Sequence, residues 1–253
     1  MIKQDYPILE FDPDPDAVLK PDHEHMELKI PEKVVFAFLG ETIDKYAAAH
    51  KLPVLGTFIS MTKNIPVYQQ KINGEKTALV QAPVGAPVST MLLDWLIAYG
   101  ARKIISAGSC GVLEKFPENY FLIPSKALRD EGTSYHYAAP SKFIETDESA
   151  RKVIEKVLTS HGLKYKEVTT WTTDGFFRET RAKISARKEE GCLVVEMECS
   201  ALAACAKMRG ASWGEILFTG DTLADIENYD ERRFGMDSHE YALQLCFEVV
   251  KNM

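Results

Sequence analysis

Two carboxylates one residue apart, Glu196 and Glu198 in "VVEMECSAL" (194–202), stand where an apolar run gives way to small helix formers. One carboxylate can accept hydrogen bonds from two adjacent sugar hydroxyls, and an anion beside a cleaving glycosidic bond stabilises the positive charge that grows on the ring. The same pair would also suit a helix N-terminus, where negative charge is favourable. A further carboxylate, Asp221 in "FTGDTLAD", follows another apolar run. Partly withdrawn from water it would hold a proton near neutrality and could deliver it to a departing base, although turns and N-caps are the commoner places for aspartate. In "SAGSCG" (106–111), Gly108 and Gly111 flank Ser109. A sharp turn there would aim amide groups and the Ser109 hydroxyl at one anion or sugar oxygen, but a glycine-containing strand end is by itself often only a tight turn.

Elements that could hold these groups are legible in the hydrophobic pattern. Short β-branched and aromatic runs alternate with helical patterns: "VVFAFLG" then "ETIDKYAAAH", "TALVQAP" then "VSTMLLDWLIAYG", "CLVVE" then "CSALAACAKMRG". Such alternation predicts an α/β domain with helices on both faces of its sheet. Asn73-Gly74 between "IPVYQQKI" and "EKTALVQ" predicts a hairpin, so the sheet is mixed. Gly100, Gly162 and Gly210 each follow a helical pattern and suit its closing residue. The three chemical motifs fall after the runs "RKII", "CLVV" and "EILF", at strand carboxyl ends, where ligands gather in sheets of this kind. Residues 1–32, broken by prolines and carrying "DPDPD", read as an N-terminal arm, and 33–253 as one domain without a composition break.

Composition narrows the partners. Lys plus Arg number 30 against 37 Asp plus Glu, a formal charge of -7, which argues against nucleic acid and against a basic membrane face. The apolar runs fall short of the roughly 20 residues a membrane span needs, and the acidic, proline-broken start is unlike a signal peptide. A cytoplasmic protein with a small-molecule ligand is expected. Five cysteines, odd in number and without metal-ligand spacing, predict reduced thiols and no metal site; no bound cofactor is expected.

Taken in order, "PVGAPVST" (83–90), "SAGSCG", "DGFFRETR" (174–181), "VVEMECSAL" and "TGDTLAD" (219–225) resemble the nucleoside phosphorylase superfamily of uridine phosphorylases, hexameric purine nucleoside phosphorylases and methylthioadenosine or adenosylhomocysteine nucleosidases. That resemblance implies a three-layer α/β/α fold with a mixed, barrel-like central sheet, and a homo-oligomer: a dimer, trimer or hexamer. It implies that Glu198 binds the ribose hydroxyls, with Met197 beneath the sugar and Glu196 beside it. Phe176 would lie against the base, with Arg181 and Glu179, the latter standing where the pyrimidine enzymes carry glutamine. Asp221 would protonate the base. Gly108 and Ser109 would receive phosphate or water, with Gly40 and Lys63 completing the phosphate site.

Departures from the pattern concern phosphate. Asp44 or Lys45 falls where one arginine of the family belongs, Ser106 where a second belongs, and Lys63 stands in for a third lent by a neighbouring subunit. Each charge-assisted hydrogen bond lost is worth on the order of 1.5–3 kcal/mol. Lys45, Lys63 and Arg178 are the substitutes available. The reading is therefore cleavage of an N-glycosidic bond, purine favoured because of Asp221, with phosphate as co-substrate to give base and ribose 1-phosphate. The alternatives are hydrolysis by water, for which Glu41 is the nearest activating carboxylate, and a retired nucleoside-binding protein. His23 and His25 in the arm, and His136, are further pocket candidates; His50, His161 and His239 read as surface residues.

Overall fold

Strand β1 (Lys33–Ala37) shows how the sequence builds the layers. Val34 and Phe36 face one apolar cluster while Val35 and Ala37 face another, all fully buried, so the strand is covered on both sides. The computed structural model describes residues 1–253. After β1 come α1 (Thr42–Ala49), β2 (Val54–Phe58), β3 (Ile65–Ile72), β4 (Glu75–Gln81), α2 (Ala86–Ala98), β5 (Lys103–Val112), β6 (Phe121–Asp130) and β7 (Phe143–Glu145). The second half adds α3 (Glu148–Ser160), β8 (Tyr165–Thr173), α4 (Arg181–Glu189), β9 (Cys192–Glu196), α5 (Cys199–Met208), β10 (Ser212–Thr222) and α6 (His239–Asn252).

The sheet is mixed and partly closed. β5 pairs with β10 and β9, β10 with β6, β6 with β8, and β8 with β9, completing a five-strand ring. From β5 a wing runs outward through β1, β4, β3 and β2. Leu92, Leu93 and Leu96 of α2 and Leu202 of α5 cover one face; Ile43 of α1, Ile154 and Leu158 of α3, and Leu245 and Val249 of α6 cover the other. This is the expected three-layer α/β/α arrangement with a barrel-like sheet. The hairpin is present too, with Asn73 and Gly74 both at positive φ and Ile72 paired with Glu75. Gly100, Gly162 and Gly210 end α2, α3 and α5 at positive φ.

Two expectations are corrected here. β5 does not stop at "RKII" and β10 does not stop at "EILF"; both run on through the motifs, because pairing them in register from Lys103–Ser212 to Cys110–Thr219 is what closes the ring. Gly108 and Gly111 are therefore strand residues, not turn residues. Gly111 is needed for close approach instead: a Cβ there would lie 2.9 Å from Val195 Cγ1 and 3.2 Å from Asp221 Oδ1. Residues 1–32 contain no strand or α-helix of their own, yet Ile30 is fully buried, its N–H donating to Tyr99 O at 2.8 Å. The arm is thus tied along α2.

Candidate active site

One pocket collects the sequence motifs, bounded by the ends of β5, β9 and β10 and by the turn that follows β8. It answers what the paired glutamates do, because the two carboxylates point to different tasks. Glu196, the last residue of β9, turns inward. Its Oε1 accepts from the Thr172 hydroxyl at 2.6 Å and the Thr170 hydroxyl at 3.1 Å, and its Oε2 accepts from the N–H groups of Glu198 and Cys199, both at 2.7 Å. Those amides open α5, so Glu196 is that helix's capping carboxylate. Its two oxygens thus already take four hydrogen bonds from the protein.

Glu198 stands at the N-cap position of α5 but caps nothing, which leaves its carboxylate free for the pocket. One partner fixes it: the Gly85 N–H donates to Oε1 at 2.5 Å from the turn before α2, where φ of 103° requires glycine. The side chain is 7% exposed, and burial followed by the Glu196 charge pushes its pKa up to about 8. Met197 lines the pocket beside it.

At the other end Asp221 lies within β10, not in a loop. It is 8% exposed; burial raises its pKa while the Tyr229 hydroxyl pulls it down. Next to it Glu179 also lines the pocket, its pKa pushed up to about 7 by burial and by the Asp221 charge, against Lys183. Phe176 supplies an aromatic wall, edge to face with Phe177 at 5.0 Å between centroids. Ser109 and Gly108 line the floor.

Other expected residues lie elsewhere. Arg181 is exposed at the first turn of α4 and forms a two-pronged ion pair with Glu227, outside the pocket. Gly40, at φ 52°, shapes the turn after β1 beside the His239 ring and does not reach the site. Lys63 sits in an exposed loop, bonded through its backbone to Ser60. Lys45 pairs with Glu41 at 2.9 Å, both side chains exposed and outside the pocket lining. Arg178 is exposed, and His23, His25 and His136 lie outside the pocket. His239 is half-buried against Phe218 rather than on the surface. Ser106 is fully buried and accepts from Trp213 Nε1 at 2.9 Å.

Sequence reasoning missed Glu215, Phe38 and Phe234. Glu215 lines the pocket floor at 3% exposure and leaves Oε2 without a hydrogen-bond partner. Burial, with Glu196 and Glu198 nearby, raises its pKa well above the usual carboxylate range. Counting back by twos from Asp221 along its strand would have found it, since alternate residues share a face. Phe234 reaches the rim from a left-handed turn in which Arg232, Arg233 and Phe234 have φ of 43°, 49° and 51°. Each such non-glycine residue costs roughly 1–2 kcal/mol, so the fold holds this ring over the pocket against local preference.

The pocket therefore contains five carboxyl side chains (Glu179, Glu196, Glu198, Glu215 and Asp221) and no lysine, arginine or histidine. No three or more His, Cys, Asp or Glu side chains are arranged to hold a metal ion. Fold and site together define an α/β domain with a part-closed sheet and an acidic, aromatic-walled ligand pocket. Residues 33–252 match the sequence model of the phosphorylase superfamily, and the chain belongs to that family. It is 24% identical over 158 residues to a DeoD-type purine nucleoside phosphorylase of Bacillus cereus, covering 59% of this chain and 65% of that one. It is 25% identical over 162 residues to an uncharacterised protein of Acanthamoeba polyphaga mimivirus, covering 63% and 62%. The chain thus spans a little under two thirds of these relatives. Among solved structures it is similar to a uridine phosphorylase of Vibrio fischeri, at TM-score 0.75 and 19% identity over 89% of this chain and 95% of that one. It is also similar to an AMP nucleosidase of Bacteroides thetaiotaomicron, at TM-score 0.72 and 19% identity over 88% and 89%. No helix is long and apolar enough to cross a membrane.

Proposed function

We propose that the protein hydrolyses the N-glycosidic bond of a purine nucleoside, releasing ribose and free base. The observation that carries this reading is the absence of any cationic side chain from a pocket lined by five carboxyls. A phosphate dianion would find no guanidinium or ammonium in the pocket lining to bind it. Water meets no such penalty, and the unpartnered Glu215 Oε2 is an acceptor for one of its hydrogens. The same carboxyls complement the cationic, oxocarbenium-like transition state.

In the proposed reaction Glu198 accepts from the ribose hydroxyls and Phe176 lies on the base. The water oxygen bonds to C1′ as the C1′–N bond breaks, Asp221 gives its proton to the base nitrogen N7, and the proton shed by water restores Asp221. Phosphorolysis is the second reading, supported by membership of the phosphorylase superfamily; it would need a cation from another subunit, for which the exposed Lys63 is available.

Product analysis on adenosine, inosine and uridine, with and without phosphate, tests the proposal. Free ribose without phosphate is the expected result. Ribose 1-phosphate formed only with phosphate would replace hydrolysis by the second reading, and no product from any nucleoside would leave a binding protein.

A further inference from the structure

Purine nucleosides differ in what their major-groove edge offers beside N7. A 6-amino purine sets the N7 acceptor next to an N6–H donor, whereas a 6-oxo purine sets N7 next to O6, two acceptors. The base end of the pocket is acidic at both matching places. Asp221, on β10, is buried and biased toward the protonated form that donates to N7. Glu179, in the turn before α4, faces the same space, and no hydrogen bond commits its carboxyl elsewhere. Arg181, which would suit a carbonyl, is drawn away to Glu227. Phe176 and Phe234 are aromatic residues lining the same pocket.

We infer that Glu179 is a specificity-determining residue that accepts the exocyclic amino group, so the pocket takes 6-aminopurine nucleosides in preference to 6-oxo ones. The inference rests on purine cleavage at this site, whichever nucleophile is used. With a 6-amino base, a proton on Asp221 and a free acceptor oxygen on Glu179 would supply one donor and one acceptor in the order the edge requires. A 6-oxo base would set O6 against the Glu179 carboxylate with no hydrogen between them, leaving both buried groups unpaired. Groups facing Glu179 are Asp221 from β10, Lys183 from α4 and Tyr229 from the loop after β10. Burial first, and the Asp221 charge second, push the Glu179 pKa up to about 7, so its carboxylate accepts above that pH while below it the acid can donate to O6. The preference for the amino base should therefore grow as pH rises through that range.

The test compares kcat/KM for adenosine and inosine across this pH range, in wild type and Glu179→Gln. Wild type is expected to favour adenosine by about tenfold or more on the alkaline side and by less on the acid side. In Glu179→Gln, whose amide either donates or accepts, the ratio should shrink and lose its pH dependence, even if both rates fall. Inosine turned over as well as adenosine, or a ratio untouched by the substitution, would overturn the inference. Calorimetric binding of adenine against hypoxanthine reads the same edge without turnover. Equal affinities there would refute the edge reading, whereas preferential adenine binding without any cleavage would fault only the proposed reaction.

Discussion

The two ends of this pocket differ in what they have kept. At the end proposed to take sugar and base, Glu198, Met197, Phe176 and Asp221 line one pocket, as the sequence motifs led one to expect. At the nucleophile end, Gly108 and Ser109 are in place, but the positions expected to carry cations have dispersed. Ser106 is tied to Trp213, Lys45 to Glu41, and Glu215 brings a further carboxyl to the floor. Binding of sugar and base needs the same groups whether the bond is hydrolysed or phosphorolysed, so that end is constrained by chemistry common to both. The nucleophile end is constrained only by which nucleophile is used. Its altered charge is the informative difference.

The comparison can be broken at several points. Glu198→Ala removes the group proposed to hold the sugar, and turnover should fall by at least about a thousandfold in steady-state assays, with the fold intact by circular dichroism. Asp221→Asn should cost about a hundredfold on purine nucleosides and much less on uridine; equal losses on both would remove the acid role. Glu196→Ala strips the acceptor from two α5 amides and two threonine hydroxyls, so it should act on stability, by about 3 kcal/mol, seen as a melting temperature lower by roughly 10 °C.

A subtler effect separates function from stability at Glu198. Its folded pKa of about 8 lies above the unfolded value near 4.3, so the folded protein holds the extra proton between them. Stability should therefore fall as pH rises through that window, and Glu198→Gln should melt higher than wild type near pH 8 while losing activity. Arg181→Ala, which breaks only an exposed ion pair, should leave both rate and melting temperature essentially unchanged.

Much of the architecture was legible because both faces of the central strands are apolar and the helices between them end at glycines. Glu198, Asp221 and Phe176 were legible because their motifs fall at strand ends. What hid the rest was strand length. "SAGSCG" and "TGDTLAD" look like turns in sequence, since glycine and aspartate are poor strand formers, yet ring closure between β5 and β10 overrides that propensity. Missing the extension of β10 also hid Glu215, which shares a strand face with Asp221. Arg181 misled for another reason: a motif fixes its place at the start of α4, but not that Glu227, far away in sequence, would hold its side chain outside. The role of Glu196 could not be separated from that of Glu198 until the amides of α5 were placed.

The most direct measurement is the rate of nucleoside cleavage as inorganic phosphate is raised from a rigorously phosphate-free buffer to saturation, with the sugar product identified by NMR at each step. A cation-free pocket predicts a rate independent of phosphate and ribose as the only sugar product. A rate that is zero without phosphate and climbs hyperbolically with it, with ribose 1-phosphate as product, would contradict the account.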